Sequence, residues 1–127
     1  LIKVDAISNY FILFANLQNQ DINNKVIDKL KKYNSKKEYF FTTVNPKDKT
    51  FEETRYWRGP VWINSNWIIY QGLKNKDKNF AKLVKKITLK LLEEKSFHEY
   101  YNYTNGASLG ANNFSWSAAL YLDFQFE

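Results

Sequence analysis

Apolar residues recur at helical 3,4 spacing over most of the chain, and helices apolar nearly all round alternate with helices apolar on one side; together these predict an all-α fold. Inner and outer helices in alternation read as part of an α/α toroid. The first helix is expected over Val4 to Leu17, where Val4, Ile7, Phe11 and Phe14 form one stripe and Ala6, Tyr10, Leu13 and Leu17 another, as in an inner helix. Asp21 is the expected N-cap of the second, whose Ile22, Val26, Ile27, Leu30 and Tyr33 share a face opposite lysines. From Asn34 to Gly59 the period breaks. Asn45-Pro46 and Lys47-Asp48-Lys49 mark turns around a short extended run, Tyr39 to Val44, and the whole reads as a long connecting loop of the kind that usually carries function. Gly59-Pro60 opens the third helix, Val61 to Leu73, with proline at the first helical position where its missing N–H costs nothing. The fourth, Asp77 to Lys95, sets Phe80, Leu83, Val84, Ile87 and Leu91 at 3,4 spacing against lysines. A turn-rich segment, Asn102 to Asn113, follows. The last element, Phe114 to Phe126, partly alternates like a strand, but Ser115-Trp116-Ser117-Ala118-Ala119-Leu120 begins a helix, and helix is the expectation.

The chain has 127 residues, one domain's worth at most and long enough to bury a core. It has no cysteine, hence no disulfide framework and no thiolate metal site, and His98, the single histidine, cannot build a zinc site alone. The expectation is a site without metal or cofactor. No glycine cluster has the spacing of a phosphate or dinucleotide loop. Lys3, Asp5 and Asn9 interrupt Leu1 to Leu17, so neither a membrane span nor a secretory leader is expected, which favours a cytoplasmic location. The chain also lacks methionine, position 1 included, which suggests processing or a piece cut from something longer. A net charge of +6 invites a nucleic-acid reading, but only Arg55 and Arg58 are arginines. The lysines of Lys25 to Lys37 and Lys74 to Lys95 sit at helical intervals among apolar residues, as on solvated helix faces. Neither a nucleic acid nor a membrane is expected as partner.

Aromatic residues make up 18% of the chain and are gathered into two clusters. One holds Tyr56, Trp57, Trp62, Trp67 and Tyr70; the other holds Phe97, Tyr100, Tyr101, Tyr103, Phe114, Trp116 and Tyr121. Across Tyr56 to Leu73 the one charged residue is Arg58, and from Phe97 to Leu122 the one formal charge is Glu99. Flat rings with amide side chains between them suit stacking on sugars and hydrogen bonding to hydroxyls, and a lone carboxylate there is a candidate acid or base. The same residues also suit a plain core with Glu99 capping a loop, and composition leaves both readings open.

The run Tyr56-Trp57-Arg58-Gly59-Pro60-Val61-Trp62-Ile63-Asn64-Ser65-Asn66-Trp67, followed by Tyr70-Gln71-Gly72-Leu73, resembles a signature of glycoside hydrolase family sixty-three and its relatives. These include processing α-glucosidases, bacterial oligosaccharide glucosidases and the mannosylglycerate and glucosylglycerate hydrolases. A second block resembles the segment that closes the family's catalytic domain: Phe97-His98-Glu99-Tyr100-Tyr101-Asn102, Thr104-Asn105-Gly106, Leu109-Gly110-Ala111 and Phe114-Ser115-Trp116-Ser117-Ala118-Ala119. The likeness covers Asp5 through Asp123. It implies an (α/α)6 toroid of twelve helices, of which about five are present, so that residues 1–127 are the C-terminal portion of a single catalytic domain. At ordinary helix and loop lengths the full toroid needs about 300 residues or more.

The resemblance further implies an inverting glycosidase acting on α-linked glucosides or mannosides, with an oligosaccharide or small glycoside as substrate and the rest of the domain as structural partner. Two carboxyl groups standing roughly 6.5–9.5 Å apart perform such chemistry, one as acid and one as base activating water. By its place in the second block, Glu99 matches the general base. None of Asp5, Asp21 or Asp28 sits in a context resembling the acid, so this chain alone is expected to be inactive. Tyr56, Trp57 and Trp62 match positions that line the sugar subsite, with Arg58 and the Gly59 backbone fixing hydroxyls or the neighbouring loop; the alternative for Arg58 is a structural ion pair. Trp67 and Tyr70 read as core, Trp116 as either core or site, and His98 as a neighbour that orients a loop. Tyr103 stands where relatives commonly have proline, which loosens the turn after Glu99. Two readings from other classes compete: a non-catalytic carbohydrate-binding module or degenerate remnant, with Trp57 and Trp62 stacking on sugar, and a basic nucleic-acid binder.

Overall fold

A computed structural model describes residues 3–15, 17–33 and 38–127. In chain order come a 3₁₀ helix (Ile7–Leu13), α1 (Gln20–Tyr33), α2 (Ile63–Leu73), α3 (Lys78–Lys95), the hairpin strands β1 (His98–Tyr101) and β2 (Ser108–Asn112), and α4 (Ser115–Phe126). Five helical segments therefore follow in the expected order, and the hairpin corrects the all-α expectation. The first segment is shorter and tighter than expected. It buries Ile7, Tyr10 and Leu13, three residues apart, as three residues per turn dictates, and leaves Ile12 and Phe14 exposed. In α1 the cap is Asn19, whose side-chain oxygen accepts from Ile22 N–H at 3.0 Å, in place of Asp21. Asn23 takes the buried position expected of Ile22, and its amide donates to the Leu17 carbonyl at 2.9 Å. Residues 34–37 of the long loop lie outside the described residues.

Pro60 does not start α2. Val61 bridges Thr42 on one side and Tyr101 on the other, with Val61 N–H to Tyr101 O at 2.8 Å and the reverse bond at 2.9 Å, and this pairing holds the backbone extended until Ile63. The helix expected from Asp77 begins at Lys78, with Asp77 as its cap accepting from Phe80 N–H at 3.0 Å, and α4 is helical from Ser115. The core gathers Leu13, Leu30, Tyr33, Phe41, Ile69, Leu73, Val84 and Leu91 from the helices and the loop between α1 and α2. Asn66 ties that loop down: its side chain accepts from Phe41 N–H and donates to the Phe40 carbonyl and, at 3.0 Å, to Thr88 Oγ1. The Asn66 amide, the Phe41 N–H, the Phe40 carbonyl and the Thr88 hydroxyl are thereby partnered away from water. Trp67 packs against the core with its indole N–H on Asp123, and Tyr70 is buried beside Phe124. Among the described residues no helix is long and apolar enough to cross a membrane.

Candidate active site

The Val61–Tyr101 bridge sets the geometry of the site. Alternate residues of extended backbone point to opposite faces, so burying Val61 and Tyr101 on one face turns their neighbours Trp62 and Tyr100 together onto the other. There the two rings stack at 5.1 Å and 17°. Trp57 stacks on Trp62 at 3.9 Å and 12°, and Tyr56 stands nearly perpendicular to Trp57, Trp62 and Tyr100. Trp62 is 2% exposed, so it backs the stack and offers no open face, whereas Tyr56 at 48% and Trp57 at 44% reach the surface. The Trp62 indole N–H donates to the Tyr56 carbonyl at 3.0 Å, and Tyr56 holds a left-handed φ of 32°. A tyrosine in that region is strained, and such positions cluster at functional sites.

Glu99 is half-buried on β1 beside this wall. The hairpin register pairs His98 with Asn112 but Tyr100 with Leu109, so β2 carries one extra residue and both Gly110 and Ala111 oppose Glu99. Ala111 N–H donates to Glu99 Oε2 at 3.1 Å, and the Tyr56 hydroxyl donates to Oε1 at 3.1 Å. Accepting from the tyrosine, the carboxylate pushes the Tyr56 phenol above its ordinary value. Trp62, Ile63, Asn64, Phe114, Trp116 and Ser117 line a narrow crevice with Glu99 and bring no second carboxylate to it. Trp116 is 48% exposed.

Arg58 is paired with Glu52. Its guanidinium donates to Glu52 Oε1 at 3.0 Å, and Arg55 donates to both oxygens of the same carboxylate, which holds Glu52 below the ordinary glutamate range. The structural ion pair weighed for Arg58 is thus present, and the Gly59 backbone is buried against Glu52. His98 acts through its main chain, its carbonyl accepting from Ser117 Oγ at 2.6 Å. Tyr103 does not leave the following turn loose. Asn102 Oδ1 accepts from Thr104 and Asn105 N–H, closing the turn that proline would otherwise pre-set. Sequence reasoning missed Tyr100 as the third stacked ring, Glu52 and the Ala111 amide. Alternation from Tyr101 could have found the first; a backbone amide has no residue signature. Among the described residues no group of three or more His, Cys, Asp or Glu could hold a metal ion.

Residues 1–117 match the family model described as the mannosylglycerate hydrolase MGH1-like glycoside hydrolase domain. The chain belongs to this glycoside hydrolase family. Within the family, it is 37% identical over 124 residues to a mannosylglycerate hydrolase of Thermus thermophilus and 31% identical over 121 residues to mannosylglycerate hydrolase MGH1 of Selaginella moellendorffii. Those alignments cover 95% and 94% of this chain but 29% and 25% of the relatives. Crystal structures of GH63 mannosylglycerate hydrolase from Thermus thermophilus superpose with TM-scores of 0.89 for the complex with glucose and 0.88 for that with Tris and D-glycerate. Both are 35% identical; 99% of this chain is matched to 32% and 30% of theirs. The chain therefore spans about a quarter to a third of the length of these relatives.

Proposed function

We propose that this chain is the C-terminal portion of a single (α/α)6 catalytic domain and supplies the general base and part of the sugar subsite of an inverting glycoside hydrolase. The substrates are α-linked glucosides or mannosides, and the names of its relatives put mannosylglycerate first among those to assay. The observation that carries the reading is the Glu99 carboxylate, fixed through both oxygens beside the surface-reaching rings of Tyr56 and Trp57. A carboxylate accepts at about four lone-pair positions. Two are taken, which leaves each oxygen free to accept a proton from a water directed at the anomeric carbon. Trp57 offers a flat face for the sugar, with Trp62 and Tyr100 holding it from behind.

The acid is assigned to the remainder of the domain. Asp5 accepts from the Tyr10 hydroxyl at 3.2 Å and the Asn45 amide at 2.7 Å, and Asp77 is occupied with its helix cap, so neither is poised as a partner to Glu99. This portion alone is accordingly inactive. Glu99→Gln in the complete enzyme keeps the shape of the base and removes its basicity. Steady-state assay on mannosylglycerate and glucosylglycerate is expected to show kcat lowered about 10²–10⁴-fold with little change in KM. Near-normal turnover overturns the assignment.

A further inference from the structure

We propose that Tyr56 and the Gly110–Ala111 bulge form a two-armed seat that sets the orientation of the Glu99 carboxylate, making both of them positioning elements for the reaction. The inference rests on Glu99 being the base. Tyr56 reaches Oε1 from the loop before α2, and the Ala111 amide reaches Oε2 from β2, so the two arms come from separate elements and fix the plane of the carboxylate as well as its place. A single donor would leave the group free to swing about that bond.

The bulge makes the second arm possible. In a regular ladder one residue would face Glu99; here two do, which frees the Ala111 N–H from strand pairing and aims it at the side chain. Gly110 permits this in two ways. Its φ is +70°, a region that disfavours other residues, and a Cβ built there would lie 2.6 Å from Glu99 Oε2 and 2.8 Å from Glu99 Cβ. The same Cβ would lie 2.6 Å from Tyr100 Cε1, so a side chain at 110 displaces the Glu99 carboxylate together with the ring beside it. The first arm is shaped as deliberately: Tyr56 is bent into its left-handed backbone, and its carbonyl is locked to the Trp62 indole. Misplacing a reacting group by about 1 Å can cost 100-fold in rate, so holding the base matters on the scale of catalysis.

The test uses the complete enzyme and compares Tyr56→Phe, Gly110→Ala, Asn113→Ala and Glu99→Gln on the same glycoside. Asn113, with φ 52°, controls for strain at the end of the same hairpin away from the Glu99 hydrogen bonds. The expected result is kcat lowered about 10-fold in Tyr56→Phe and about 100-fold in Gly110→Ala, each with KM within about threefold, and near-normal kcat in Asn113→Ala. Unchanged kcat in Tyr56→Phe and Gly110→Ala overturns the seat, as does a raised KM at unchanged kcat in Tyr56→Phe, which marks a sugar contact instead. If Gly110→Ala fails to fold, Tyr56→Phe decides alone on the same criteria. Normal turnover in Glu99→Gln brings down the base itself; an inactive Glu99→Gln beside fully active seat variants brings down only the seat.

Discussion

Glu52 and Gly59 show how single residues hold the aromatic wall in place. Glu52 N–H donates to the Arg58 carbonyl at 2.8 Å while its carboxylate gathers Arg55 and Arg58, closing the loop that carries Tyr56 and Trp57. These pairs are exposed, so the backbone closure matters more than the charges. Gly59 completes it by passing directly over Glu52: a Cβ at 59 would stand 2.1 Å from the Glu52 carbonyl oxygen, and no side-chain motion relieves a contact with backbone. In the complete enzyme Gly59→Ala should lower stability by about 1–3 kcal/mol, read from urea unfolding midpoints, with a loss of activity because Trp57 shifts with the loop. An unchanged midpoint would show that the loop slides freely over residue 59.

Among the elements, α2 packs against the 3₁₀ helix, α3 and α4, while α3 is tied to α1 through the residue that caps it. Asp77 Oδ1 accepts from Phe80 N–H while Oδ2 meets Lys31 Nζ of α1 at 2.7 Å. The lysine first, and then the amide, hold Asp77 below its ordinary value of 3.8. A carboxylate so depressed in the folded state contributes stability that is complete above that ordinary value and fades as pH falls through the lower folded one. Asp77→Ala should therefore cost about 1 kcal/mol at neutral pH, chiefly as a lost cap, and progressively less in acid; unfolding midpoints measured at neutral and strongly acidic pH check this. α3 and α4 were legible in the sequence, α3 because its 3,4 stripe runs unbroken against lysines. The hairpin was not. Its strands are four and five residues long, carry no alternating stripe, and depend on Val61, far away in sequence, to pair with Tyr101. The same long-range bridge hid the delayed start of α2, where local proline preference lost to pairing. Of the site, Glu99 and the Tyr56–Trp62 run stood out by composition and spacing. The ion pair of Arg58 with Glu52 and the burial of Trp62 follow from packing that residue types do not encode.

On the scale of the whole molecule, apolar side chains are left open on the described surface: Ile12, Phe14 and Leu17 near the 3₁₀ helix, and Trp116, Leu122 and Phe126 on α4, the last 88% exposed. Side chains of that size invite cover by further structure. On the proposed reading the remainder of the catalytic domain covers them and brings the general acid to face Glu99. The central claim is that Glu99 deprotonates the attacking water, and chemical rescue tests it most directly. In the complete enzyme with Glu99→Ala, turnover of an α-glycoside with a good leaving group is followed as azide is added, since azide attacks without needing to lose a proton. The account predicts that turnover, near zero without azide, rises with azide concentration and gives the β-glycosyl azide, the product of inversion. Unimpaired hydrolysis without azide, or an α-configured azide product, would contradict it.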